Sequence, residues 1–157
     1  MFGDDISLIL SRFLCKSRVK YLGTFSADKI PSHSLVQSSS PCCYVLNSDP
    51  STSPGSHWVA VYHSTPHSLE FFDSFGFAPA DLGFHFDTSF HVTQNKTQVQ
   101  SLNSKVCGEY CIYFVYLRSV GISFPDIIKR LSSQAHSKSD SRVNSFVQSL
   151  RQRLRLK

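Results

Sequence analysis

Apolar residues Ile6, Ile9, Leu10 and Phe13 recur at helical spacing behind Asp4 and Asp5. The pattern predicts an amphipathic helix over about residues 5–14, its positive end capped by the acids. Tyr21-Leu22-Gly23-Thr24-Phe25 reads as an extended piece leading into a turn, and Gln37 to Pro41 as a polar loop. Cys42 to Leu46 is short and apolar throughout, a buried strand, and the turn formers of Asn47 to Ser56 separate it from the next one. His57 to His63 is rich in β-branched and aromatic residues, and a turn at Thr65-Pro66-His67 joins it to Ser68–Asp73, predicting a hairpin. His63 and His67 flank that turn and are expected to face solvent. A further strand is predicted over Thr88 to Thr93, before the polar stretch Gln94 to Gln98.

Beyond Ser104 the periodicity changes. Cys107 to Leu117 is apolar on nearly every side and stops at Gly121, as expected of a helix buried inside a domain. Ser123 with Asp126 three residues on starts another helix. A last amphipathic segment carries Val143, Phe146, Val147, Leu150 and Leu154, with basic residues on its other face. Helix, then strands, then helices makes an α+β domain.

Size and composition narrow the class. The 157 residues are 41% apolar with 13 phenylalanines, enough for one real core, so a single domain over residues 1–157 is expected and wholesale disorder is excluded. No apolar run approaches the ~18–20 residues of a membrane-spanning helix, so no membrane association is expected. The opening MFGDDISLIL carries acids where a secretory signal carries positive charge, which points to a reducing compartment, cytoplasm or nucleus. Asn95-Lys96-Thr97 has the form of a glycosylation sequon, but nothing else suggests secretion.

Charge is unevenly spread. Residues 1–137 hold ten basic and ten acidic residues, whereas residues 138–157 hold six basic ones against Asp140. The basic helix or tail at 138–157, with Arg142, Arg151, Arg153, Arg155 and Lys157, suits a polyanion such as DNA as well as it suits a solvated helix end.

Candidate chemistry centres on a cysteine. The count of five is odd, Cys42 and Cys43 point to opposite faces of a strand, and Cys107 and Cys111 lack zinc-knuckle spacing, so neither disulfides nor a metal site is expected. Cys107 opens the buried helix, where free N–H groups and the dipole favour the thiolate that a nucleophile needs. Cys111, one turn later, reads as a core residue. His57, at the start of its strand and at the sheet edge, is a candidate base. Asp73, closing the partner strand, comes to the same edge and could orient the imidazole. The Cys107 backbone N–H is one donor for a developing oxyanion; Gln94, Gln98, Gln100 and Asn103 are candidates for the second, and position alone does not choose among them.

Three stretches carry a resemblance: Pro54-Gly55-Ser56-His57-Trp58-Val59-Ala60; Glu70-Phe71-Phe72-Asp73-Ser74-Phe75-Gly76-Phe77; and Val99-Gln100 through Asn103-Ser104 to Cys107-Gly108-Glu109-Tyr110-Cys111. Together with Tyr21–Phe25 they are similar to adenain, the adenovirus maturation protease family of the SUMO-protease-like superfamily. The resemblance covers roughly residues 5–120 in order. It implies a papain-like fold of the adenain type: a central, mostly antiparallel sheet packed by a buried helix carrying the nucleophile, with further C-terminal helices. It implies His57 as base, Asp73 as its orienting acid, Gln100 as oxyanion donor and Cys107 as nucleophile. Adenoviral enzymes usually place Glu where Asp73 stands, while relatives in the wider superfamily use Asp.

The resemblance implies a cysteine endopeptidase cleaving viral capsid or core precursors during virion maturation, a monomer in host nucleus, cytoplasm and virion. Small residues flanking the scissile bond would thread a groove beside Trp58 and Gly55. No cofactor is required for the chemistry. The family is stimulated by DNA and by a viral peptide attached through a cysteine; Ser74 to Val99 contains none. Two other readings compete: an isopeptidase removing ubiquitin or SUMO, with the same chemistry, and a nucleic-acid-binding protein whose basic tail is the whole function.

Overall fold

The computed structural model describes residues 1–156. Helix α1 spans Gly3–Leu14 and is followed by strand β1, Lys20–Phe25, and helix α2, His33–Ser39. Strands β2 (Cys42–Asn47), β3 (Trp58–His63), β4 (Ser68–Phe72) and β5 (His91–Gln94) come next, then helices α3 (Cys107–Ser119), α4 (Phe124–Ser132) and α5 (His136–Arg153). The α+β order holds, as do the β3–β4 hairpin and the Ser123 cap, whose Oγ accepts the Asp126 N–H at 3.3 Å.

The five strands lie in the sheet in chain order, β1-β2-β3-β4-β5. β2–β3 and β3–β4 are antiparallel, but both outer pairs, β1–β2 and β4–β5, are parallel. The sheet is therefore mixed rather than mostly antiparallel. Long connections make this possible: the 18-residue path between β4 and β5 loops back to start β5 beside Ser68.

Both faces are covered, which is why β2 and β3 read as unbroken apolar runs. Cys43, Val45, Ala60, Tyr62 and Phe72 point to the side packed by α1, α3, α4 and α5. Cys42, Tyr44, Leu46, Val59, Val61, Leu69 and Phe71 point to the other side, beneath Val36 of α2 and Phe84. Cys42 and Cys43 thus lie on opposite faces, both buried. α3 crosses the helical side at its centre, its Phe114 ring stacked on Phe72 at 4.7 Å. Arg118 near its C-terminus reaches Glu70 of β4 with two nitrogens, at 2.6 and 2.8 Å, and lies over the Tyr62 ring. That fork fixes how far α3 is slid along the hairpin, and therefore where Cys107 at its other end stands.

Several expectations are corrected. Helix α1 begins at Gly3, and Asp5 Oδ2 accepts the Phe2 N–H at 3.4 Å from the first turn rather than capping from outside it. Gln37–Ser39 belong to α2, because Ser32 caps it and Val36 anchors it in the core. β5 starts at His91, three residues later than expected. His63 is 0% exposed: its Nδ1 meets the Ser68 carbonyl at 2.7 Å and its Nε2 the Tyr44 hydroxyl at 3.3 Å. His67 does face solvent. Among the described residues no helix is long and apolar enough to cross a membrane.

Candidate active site

β3 is the central strand, so His57, just before it, stands at one end of the sheet and not at its edge. The antiparallel register pairs Ala60 with Phe72, which brings Asp73 to that same end. His57 Nε2 and Asp73 Oδ1 are 2.5 Å apart, with Asp73 0% exposed. The carboxylate is held from behind: Oδ1 also accepts the Phe75 N–H at 3.2 Å and Oδ2 the Phe77 N–H at 2.8 Å. Gly76 makes that turn possible at φ +80°, where a Cβ would lie 3.0 Å from the backbone of Lys96 and Thr97.

With Nε2 taken by Asp73, Nδ1 is the nitrogen left for Cys107, which lines the same cleft as His57. Burial opposes the imidazolium, but the Asp73 and Cys107 contacts outweigh it and raise the His57 pKa to about 9. The Phe75 ring lies against the imidazole at 5.2 Å. Cys107 is half-buried at the first position of α3, whose N-cap, Val106, has no side-chain cap. The N–H groups of the first turn therefore stay open. Gly108 lets α3 meet α1 closely, since a Cβ there would lie 3.1 Å from Ile6. Cys111 is buried in the core, which raises its thiol well above the ordinary value.

Of the four amide candidates, Gln100 alone lines the same cleft as His57 and Cys107 among the described residues. It is 1% exposed, its Oε1 accepts from the Ser74 hydroxyl at 2.7 Å, and its Nε2 donates to the Ser104 carbonyl at 2.9 Å. Gln98 props its backbone, donating to the Gln100 carbonyl at 2.8 Å; Asn103 is exposed, and Gln94 sits on β5. Gly55 and Trp58 line the cleft as well, which measures about 580 Å³ and is walled also by Met1 and Phe2.

One residue escaped the sequence reading. Asn95 is 4% exposed; its Oδ1 accepts the Asp73 N–H at 3.0 Å, and its Nδ2 donates to the Asp73 carbonyl at 2.6 Å and the Thr97 carbonyl at 3.1 Å. It clamps both sides of the Asp73 peptide. A buried, fully engaged amide takes no glycan, so the sequon is incidental. Its one sequence signal, the Asn-x-Thr pattern, pointed elsewhere.

The tail residues do not gather at this cleft. Arg142, Arg153 and Arg155 are exposed, Arg151 reaches Asp5 at 3.3 Å, and Lys157 lies outside the described residues. Among the described residues no group of three or more His, Cys, Asp or Glu side chains is placed to hold a metal ion.

No protein-family model matches the chain. It is 27% identical over 114 residues to a protease of Porcine adenovirus A serotype 3, covering 61% of this chain and 54% of that one. It is 29% identical over 94 residues to a protease of Bovine adenovirus C serotype 10, covering 49% and 48%. The chain thus spans about half the length of the curated relatives it matches. Its fold is similar to the central domain of the uncharacterized protein Lpg1148 from Legionella pneumophila, with a TM-score of 0.52 over 96% of this chain and 98% of that one, at 15% identity. The sequence resemblance therefore stands: this is an adenain-like chain, similar to the adenovirus proteases.

Proposed function

We propose that the chain is a cysteine endopeptidase of the adenain type, built on that family's papain-like arrangement, in which Cys107, His57, Asp73 and Gln100 act together. One observation carries the reading: residues 50 positions apart in sequence, Cys107 and His57, share one cleft, and His57 is bonded from its far nitrogen to a buried acid. In this mechanism the Cys107 thiolate attacks the substrate carbonyl carbon, forming a C–S bond and an oxyanion. The Cys107 backbone N–H and the second hydrogen of Gln100 Nε2 receive that oxyanion. As the C–N bond breaks, the His57 imidazolium passes its Nδ1 proton to the departing amine. Neutral His57 then takes a proton from water, hydroxide attacks the thioester, and the acid leaves as the thiolate is restored.

Asp73 fixes the imidazole ring and stabilises its cationic form, and Asn95 fixes Asp73. By the resemblance to adenain, the substrates would be precursor polypeptides of a virus, cut during maturation, in host cell and virion. DNA engaged by Arg142, Arg151, Arg153, Arg155 and Lys157 would stimulate cleavage.

The test is cleavage of candidate capsid precursors, with and without DNA, read by mass spectrometry, alongside Cys107→Ala. We expect cuts from the unaltered chain and a loss of at least about 1,000-fold in the variant, with the fold intact by circular dichroism. Retained cleavage in Cys107→Ala ends the proposal. Labelling of Cys107 by a ubiquitin or SUMO suicide probe, with no cut in the precursors, would assign an isopeptidase instead.

A further inference from the structure

Ser74, 1% exposed in the turn after β4, does not line the cleft, yet it grips Gln100 with both its backbone and its side chain. Its carbonyl accepts the Val99 N–H at 2.9 Å and the Gln100 N–H at 3.1 Å. Its hydroxyl donates to Gln100 Oε1 at 2.7 Å. The residue just before it, Asp73, is the one that holds the His57 imidazole. Base and oxyanion donor are thus fastened to two consecutive residues, one through a carboxylate and the other through a hydroxyl.

A glutamine amide carries donors at one end and an acceptor at the other, and a half-turn about its last torsion exchanges them. Here the partners tell the two ends apart. The Ser104 carbonyl, 2.9 Å from Nε2, can only accept, so a turned amide would set two acceptors against each other. At the opposite end the Ser74 hydroxyl gives its one proton to Oε1 and ties the amide down a second time. One hydrogen of Nε2 goes to Ser104, and the other finds no acceptor among the described residues. That second hydrogen is the one a developing oxyanion needs. Without the Ser74 hydroxyl, Oε1 would be buried with no donor, and the amide would be held at one end only.

We infer that Ser74 is a positioning residue for the oxyanion donor, its hydroxyl fixing the plane and direction of the Gln100 amide so that the second Nε2 hydrogen meets the substrate. The inference rests on the protease reading and adds to it a residue that acts through Gln100. Ser74→Ala isolates the hydroxyl, because the backbone carbonyl that holds Val99 and Gln100 stays in place. The test is a double-mutant cycle of Ser74→Ala and Gln100→Ala in the full chain, with the best-cut member of an internally quenched peptide library as substrate. Ser74→Ala should lower kcat about tenfold, a misaligned donor forfeiting part of the roughly 100–1,000-fold that a whole one contributes. KM should stay within about twofold, since the oxyanion forms only in the transition state. In the Gln100→Ala background the same change should move kcat by less than about twofold. Ser74→Cys, of similar shape but a weaker donor, should lie between Ser74 and Ala, and it takes the place of Ala in the cycle where circular dichroism shows Ala unfolded. An unchanged kcat in the Ser74 variant, or an equal loss in both backgrounds, overturns the role and leaves the protease reading standing. An undiminished kcat in Gln100→Ala overturns it too, by removing Gln100 from the chemistry. No cleavage anywhere in the library overturns both.

Discussion

The state of one imidazole governs the pH behaviour of this site. Because Asp73 and Cys107 raise the His57 pKa to about 9 against the pull of burial, the imidazolium persists well above neutrality. The sign follows directly. His57 binds a proton more tightly folded than unfolded, so its contribution to stability is complete below about 6.5 and is lost as pH rises toward 9. Activity that uses the imidazolium as acid should decline through the same region, giving an alkaline limb near pH 9 in kcat/KM. Asp73→Asn should move that limb to lower pH; an unmoved limb would separate Asp73 from His57. Asn95→Ala should shift it the same way, since the Asp73 peptide loses both its clamps. It should also cost about 1–3 kcal/mol in stability, read by urea denaturation, because buried backbone groups lose their partners. A destabilised variant with an unchanged pH profile would make Asn95 merely structural.

At the scale of elements, the site is set by how α3 sits on the β3–β4 hairpin. The Phe72–Phe114 stack and the Arg118–Glu70 fork tie the two together, one at the middle of the helix and one near its end. Both ion-pair partners are largely shielded, 13% and 14% exposed, so the fork is worth more than a surface pair. Arg118→Met leaves Glu70 without its cation and should cost about 2–3 kcal/mol, seen as a lower urea midpoint at unchanged slope. An effect below about 0.5 kcal/mol would assign the placement of α3 to apolar packing alone. The sequence pattern announced α3 and its glycine stop, the hairpin, and the capped start of α4. It concealed α2, whose polar residues look like loop until Val36 is seen beneath the sheet. It concealed too that β5 runs parallel to β4, since strand direction is set by the path of the connecting loop.

At the scale of the whole molecule, a buried base, His63, lies outside the candidate cleft. His63 lies between Tyr44 and Phe90 on the far side of the sheet from α3, and burial lowers its pKa to about 4. A histidine kept neutral in the fold but free to protonate when unfolded stabilises above about 6.5 and loses that contribution as pH falls toward 4. The chain should therefore lose up to about 3 kcal/mol over that interval. Urea midpoints measured between pH 4 and 7 should show the slope, and His63→Phe should flatten it. A slope unchanged in the variant would transfer acid sensitivity to other groups. The opposing slopes of His63 and His57 place maximal stability near neutral pH.

What the order of residues determined by itself was local and covalent. It set the apolar periods that make each helix and strand, the caps and turn residues at their ends, and the spacing of His57, Asp73, Gln100 and Cys107 that carries the family likeness. Which of four amides enters the cleft, that His63 is buried, and that Asn95 grips Asp73 from 22 residues away were decided only by tertiary packing. The reason is physical: a side chain's burial and partners depend on what the rest of the chain brings against it, and that placement is settled by the joint packing of distant segments.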